Sequence, residues 1–159
     1  MLVGTRPEAI KLAPLAIKLR DHAHFELFLC LTQQHKELLD QALEVFDISP
    51  DVELNIMSSG QTLTELTSRL LSKIGDSLLE ERPDLVVVQG DTTTSFAGAL
   101  ASFYQNIPVA HVEAGLRSNN RQSPWPEELN RRLTACLSNI HFAPTEKAKQ
   151  NLIAENIPK

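Results

Sequence analysis

The chain has 159 residues, the length of one domain, and is 42% hydrophobic, 22% charged and 5% aromatic, a globular profile able to bury a core without staples. Its 15 Lys+Arg against 20 Asp+Glu leave a formal net charge of −5, which argues against a general binder of nucleic acid or anionic membrane. No apolar run approaches a membrane span, the first residues lack the regions of a signal peptide, and Cys30 and Cys136 show no CxxC or zinc-ligand spacing, so a reducing, cytoplasmic home is expected.

In chain order, residues 1–4 read as a strand stub and residues 6–21 as a helix that Pro14 should kink. Residues 25–32, FELFLCLT, read as a buried strand. Residues 36–46 place Leu38, Leu39, Ala42, Leu43 and Phe46 at helical spacing, and 51–57 suit a short edge strand. Residues 61–81 form the longest helix, with an apolar stripe of Leu63, Leu66, Leu70, Leu71, Ile74 and Leu78 and a Thr62/Glu65 capping box. The run over 85–88 is a continuous apolar strand ended by Gln89-Gly90-Asp91. Residues 94–104 form a small-residue helix able to lie close against a sheet. A strand over 108–112, a loop over 113–124, a helix over 126–137 with Pro at an early position, a strand over 140–143 and a helix over 146–155 complete the chain. Uniformly apolar strands alternating with helices imply a Rossmann-like, doubly wound parallel sheet of the α/β class. Ligands of such sheets sit at the carboxyl ends of the strands, in the crevice where strand order reverses.

The residues at those ends are the candidates. Thr5-x-x-Glu8 after the first strand matches a capping box, and Arg6 beside free helix N–H groups suits an anion; a plain cap is the other reading. Neither the GxGxxG fingerprint nor a Walker A motif occurs, so dehydrogenase and P-loop chemistry are poorly supported. Lys11 lies in an apolar stretch but shares a helical face with Lys18, which also fits a solvated stripe. Asp91 suits either an active-site carboxylate or an N-cap. Glu113, ending the next strand, shares its rim; paired carboxylates suit acid–base work, whereas Arg117 could simply neutralise Glu113. Glu127 and Glu128 open a helix, where the dipole alone favours acids. His111 and His141 fall in strand patterns and read as packed side chains. No histidine spacing suggests a metal site, and no nucleophile elbow is present.

Six motifs appear in order: GTRPEAIKLAP over 4–14, TQQHKELLDQ over 32–41, PDLVVVQGDTTT over 83–94, HVEAGLRS over 111–118, SPWPEELNRR over 123–132 and HFAPTEKAKQNL over 141–152. Together they resemble the UDP-N-acetylglucosamine 2-epimerase family, of the non-hydrolysing bacterial type. The resemblance implies that residues 1–159 form the N-terminal Rossmann-like half of a two-domain GT-B-type fold, the C-terminal UDP-binding domain lying outside this chain. It implies an isomerase that interconverts UDP-N-acetylglucosamine and UDP-N-acetylmannosamine by elimination and re-addition of UDP, without a cofactor. The product would serve cell-surface polysaccharide synthesis. By the same resemblance Asp91, Glu113 and Glu127 are catalytic, Arg6 and Lys11 bind substrate, and Gln34 and His35 belong to an allosteric site for a second substrate molecule. Gln33, where a small residue is usual, and Gly60, where some members carry Arg, depart from the allosteric pattern. The resemblance also implies a homodimer built through this domain, with the 61–81 helix as a candidate surface unless its stripe faces its own sheet. A hydrolysing relative that releases UDP and N-acetylmannosamine, and a non-catalytic truncated module, are the alternatives. The isolated chain is expected to be inactive.

Overall fold

The computed structural model describes residues 1–32, 36–58 and 60–157. Among the described residues six short strands alternate with six helices. The first half holds β1 (Leu2–Val3), α1 (Arg6–Arg20), β2 (Cys30–Leu31), α2 (Lys36–Val45), β3 (Val52–Glu53) and α3 (Leu63–Glu81). The second half holds β4 (Val86–Gln89), α4 (Thr93–Tyr104), β5 (Val109–Val112), α5 (Glu127–Leu137), β6 (Ile140–Phe142) and α6 (Glu146–Ala154). Strands β1-β2-β3 and β4-β5-β6 form two parallel ladders, and β1 lies beside β4. The strand sequence across the molecule therefore reverses at the β1/β4 junction, the crevice position of an open α/β sheet.

Alternation along the strands sends successive side chains to opposite faces. Val3 and Leu31 join Leu12, Ala13, Ala16, Leu39 and Leu43 in a core beneath α1 and α2. Leu2 and Cys30 join Leu70, Ile74, Leu78, Val88 and Ala97 in a second core beneath α3 and α4. The stripe of α3 thus packs on its own sheet, its most buried members being Leu70, Ile74 and Leu78. Helix α4 approaches the sheet as its small residues predict. A Cβ added at Gly98 would stand 2.4 Å from Leu2 Cδ1 and 3.3 Å from Val88 Cγ1, so this contact admits only glycine without a shift. Both expected capping boxes form, at Thr5/Glu8 and Thr62/Glu65.

Several boundaries differ from expectation, the edge strand read over 51–57 being only Val52–Glu53. The strand predicted over 25–32 shrinks to Cys30–Leu31, and Phe25 is 59% exposed with its ring tilted against that of His22. The apolar run is long enough for a strand, but its ladders to β1 and β3 run only over Cys30–Leu31. Pro126 is the N-cap of α5 rather than its first helical residue, and it makes no side-chain cap.

Candidate active site

The turn after β1 and the turn after β4 are joined by one buried carboxylate. Glu8, 1% exposed, accepts the Gly4 and Thr5 N–H groups on Oε2, each at 2.7 Å, and the Thr5 hydroxyl at 3.0 Å. Its Oε1 accepts the Thr92 hydroxyl at 2.6 Å and the Ser95 hydroxyl at 3.1 Å. Burial pushes the Glu8 carboxyl above its ordinary range against the pull of these donors. The capping box is therefore also a clasp across the β1/β4 junction. It fixes Arg6, the exposed first residue of α1, relative to Asp91.

Asp91 follows Gly90, which turns the chain at φ 72°. It does not cap α4: that role falls to Thr92, whose hydroxyl accepts the Ser95 N–H at 3.1 Å. The Asp91 carboxylate pairs instead with the Arg131 guanidinium from α5. The Asn130 side-chain amide holds the Asp91 carbonyl at 3.1 Å. The Asp91 pKa sits above its ordinary value: burial, the largest influence, raises it, and Glu127 and Glu113 add to this against Arg131 and Lys11. Two further carboxylates, from two other segments, thus lie within electrostatic reach of Asp91.

Glu113 ends β5 in the left-handed region, at φ 66°, a conformation that costs a non-glycine residue about 1 kcal/mol. Its Oε2 accepts Lys11 Nζ at 2.5 Å and Gln89 Nε2 at 2.8 Å. Arg117, the alternative ion-pair partner for Glu113, turns away and makes a bidentate pair with Glu155, at 2.8 and 2.7 Å. Lys11 is therefore more than part of a solvated stripe: it reaches across the crevice from α1. The ring of His111, fully buried in β5, meets the Gly90 carbonyl at 2.7 Å, and desolvation pushes its pKa down to about 4.

Glu127 opens α5, half-buried, and its neighbour Glu128 is wholly buried. Glu128 accepts the Ser118 N–H at 2.9 Å, the Asn119 N–H at 3.2 Å and Arg132 Nε at 3.0 Å. Burial works to raise its carboxyl, but these donors outweigh it and hold the group below its ordinary value. Glu128 so pins the loop over 113–124 to α5, while Glu127 stays toward the rim. The Ser123–Pro124 and Trp125–Pro126 peptides leading into that helix are both cis.

Arg6, Lys11, Asp91, Glu113 and Glu127 accordingly share the carboxyl edge of the sheet. Gln34 and His35 lie outside the described residues. Reading by motif missed Arg131, Asn130 and Gln89. The signal for Arg131 was its position four residues after Glu127, on the same helix face. Among the described residues no cluster of three metal-ligating side chains occurs, and no helix is long and apolar enough to cross a membrane.

The family model described as UDP-N-acetylglucosamine 2-epimerase matches residues 17–159. The chain is 58% identical over 155 residues to the UDP-N-acetylglucosamine 2-epimerase of Salmonella typhimurium, covering 98% of this chain and 41% of that protein. Among solved structures, the UDP-GlcNAc 2-epimerase of Neisseria meningitidis bound to UDP-GlcNAc superposes with a TM-score of 0.95 at 55% identity, over 99% of this chain and 43% of that one. The Methanocaldococcus jannaschii enzyme in complex with UDP-GlcNAc and UDP gives 0.93 at 45% identity, over 99% and 43%. The chain thus spans about two fifths of the length of the relatives it matches.

Proposed function

Because this chain belongs to the UDP-N-acetylglucosamine 2-epimerase family, we propose that it forms the N-terminal catalytic part of an enzyme that interconverts UDP-N-acetylglucosamine and UDP-N-acetylmannosamine. The observation that carries this reading is the convergence of Asp91, Glu113 and Glu127 on one edge of the sheet, beside Lys11 and Arg6. The C2 proton of the sugar is not acidic in the resting substrate. Departure of UDP from C1 builds positive charge on the ring and acidifies that proton. A carboxylate then removes it, leaving 2-acetamidoglucal and UDP. Re-addition of UDP with reprotonation from the opposite face inverts C2, so acid–base groups are needed on both faces. Carboxylates also stabilise the cationic transition state. Arg6 at the N-terminus of α1 and Lys11 five residues further on serve the diphosphate, where negative charge grows as the bond to C1 breaks. Lys11 is 48% exposed even while paired to Glu113, so its ammonium faces the crevice as well as the carboxylate.

The reading includes a second domain as the other wall of the cleft, and a homodimer. With the α3 stripe committed to the core, any dimer surface on that helix must use its outer face. The substrate and product are UDP-sugars, and neither a cofactor nor a metal enters the chemistry.

The test is a product assay on the full-length enzyme in heavy water. Epimerisation gives UDP-N-acetylmannosamine with deuterium at C2. Release of UDP and free N-acetylmannosamine would identify a hydrolysing enzyme instead, and no conversion of UDP-N-acetylglucosamine would overturn the proposal.

A further inference from the structure

We propose that Arg131 is a positioning residue for the reaction: it holds Asp91 as an ionised proton acceptor and ties it to the segment that carries Glu127. This rests on the catalytic reading of Asp91 given above. Three contacts define the role. One guanidinium nitrogen pairs with Asp91 Oδ2. Its Nε donates to the Glu127 carbonyl at 3.3 Å. The same Nε lies 3.7 Å from Oε2 of the wholly buried Glu128. With its side chain only 13% exposed, Arg131 is held on both sides and has little freedom to leave Asp91. The neighbouring Asn130 clamps the Asp91 backbone, so consecutive residues of α5 fix both the main chain and the side chain of that carboxylate.

The electrostatic need is specific. Asp91 is faced by Glu127 from α5, Glu113 from the end of β5 and Lys11 from α1. Burial and both carboxylates favour its protonated form. Lys11 opposes them weakly from a distance, being engaged with Glu113 at 2.5 Å. Arg131 is the largest influence keeping Asp91 charged. An ionised carboxylate can accept the C2 proton; a protonated one cannot. One oxygen, Oδ2, is committed to the guanidinium, and Oδ1 is left for proton transfer.

The test uses the full-length enzyme with ¹³C-carboxyl-labelled aspartate, the Asp91 signal being assigned by its loss in Asp91→Asn. In Arg131→Gln the Asp91 titration midpoint should rise by about one pH unit or more. The acid limb of the kcat/KM profile should move up with it, and the KM for UDP-N-acetylglucosamine should change little. Arg131→Lys, which keeps a charge, should return the midpoint most of the way. A merely structural role would lower the melting temperature of Arg131→Gln and leave midpoint and acid limb in place, which overturns the proposal. The wild-type enzyme supplies a reading that needs no stable variant: the Arg131 guanidinium nitrogen signals should titrate with the Asp91 midpoint, and signals that ignore it refute the pairing. The midpoints are measured whether or not the enzyme turns over. Absent epimerisation would therefore sink the proposed activity, whereas an unmoved Asp91 midpoint in an active enzyme would sink only the role of Arg131.

Discussion

At the scale of single residues, the site separates charge carriers from caps. Asp91 could have capped α4, but Thr92 does so, and the Asp91 carboxylate pairs with Arg131 instead. We expect Asp91→Asn, Glu113→Gln and Glu127→Gln, made in the full-length enzyme, each to lower kcat by about 10²–10⁴-fold. Their melting temperatures should stay near wild type, because none of the three carboxylates caps a helix through its side chain. Turnover near wild type in any of them would remove that residue from the mechanism. Arg6→Lys keeps the charge but loses the planar fork. If Arg6 grips a phosphate in bidentate fashion, calorimetric titration of UDP into this variant should give weaker binding with the fold intact; equal affinities would leave the segment a plain helix cap. His111 provides a stability signature. Its folded pKa of about 4 lies below the ordinary 6.5, so the unfolded chain takes up the proton first as pH falls. That contribution is complete above about pH 6.5 and is lost progressively down to about pH 4, worth up to ~3 kcal/mol. Wild type should therefore lose more urea resistance than His111→Gln between pH 7 and pH 4.5; parallel losses would refute the buried neutral ring.

At the scale of elements, the short strands rely on the turns that follow them. Glu8 fastens α1 to the β4–α4 turn, and Glu128 fastens the 113–124 loop to α5. Helix α6 is seated by close contact at Gly115, whose φ is 89°. A Cβ there would fall 2.2 Å from the Ala148 carbonyl oxygen, a backbone atom that cannot rotate away, and Asn151 Nδ2 holds the Gly115 carbonyl at 2.9 Å. Gly115→Ala should displace α6 and cost about 1–3 kcal/mol from overpacking, with the left-handed backbone adding to it. For a chain of this length that lowers Tm by roughly 3–10 °C. An unchanged melting curve would mean that α6 packs differently. Arg117 and Arg132 both reach Glu155 beyond α6, so loosening this helix should also loosen the charged chain that runs through Arg132 and Glu128 toward α5.

At the scale of the whole molecule, the cores beneath α1–α2 and α3–α4 are each built from buried residues of this chain. We expect the isolated 159-residue chain to fold cooperatively and yet not to epimerise. The crevice at β1/β4 offers one wall, and a cleft that binds UDP and excludes water needs two. Measurable conversion of UDP-N-acetylglucosamine by the purified chain would contradict this.

The sequence by itself determined the order of elements, both capping boxes, the close approach of α4 and the delivery of Asp91 and Glu113 to one edge. These depend on periodicity, turn chemistry and contacts three or four residues apart, all of which are written locally. It also carried the family, through six motifs whose order no local rule explains. Only the tertiary structure decided the partners: Lys11 with Glu113, Arg131 with Asp91, Arg117 with Glu155 and Glu8 with Thr92. Those pairs join residues 102, 40, 38 and 84 positions apart. A charged side chain can choose among several opposite charges, and the choice is made by the distances that the packed sheet imposes. The extent of β2 is likewise a tertiary matter, its ladders to β1 and β3 running over Cys30–Leu31 alone among the described residues.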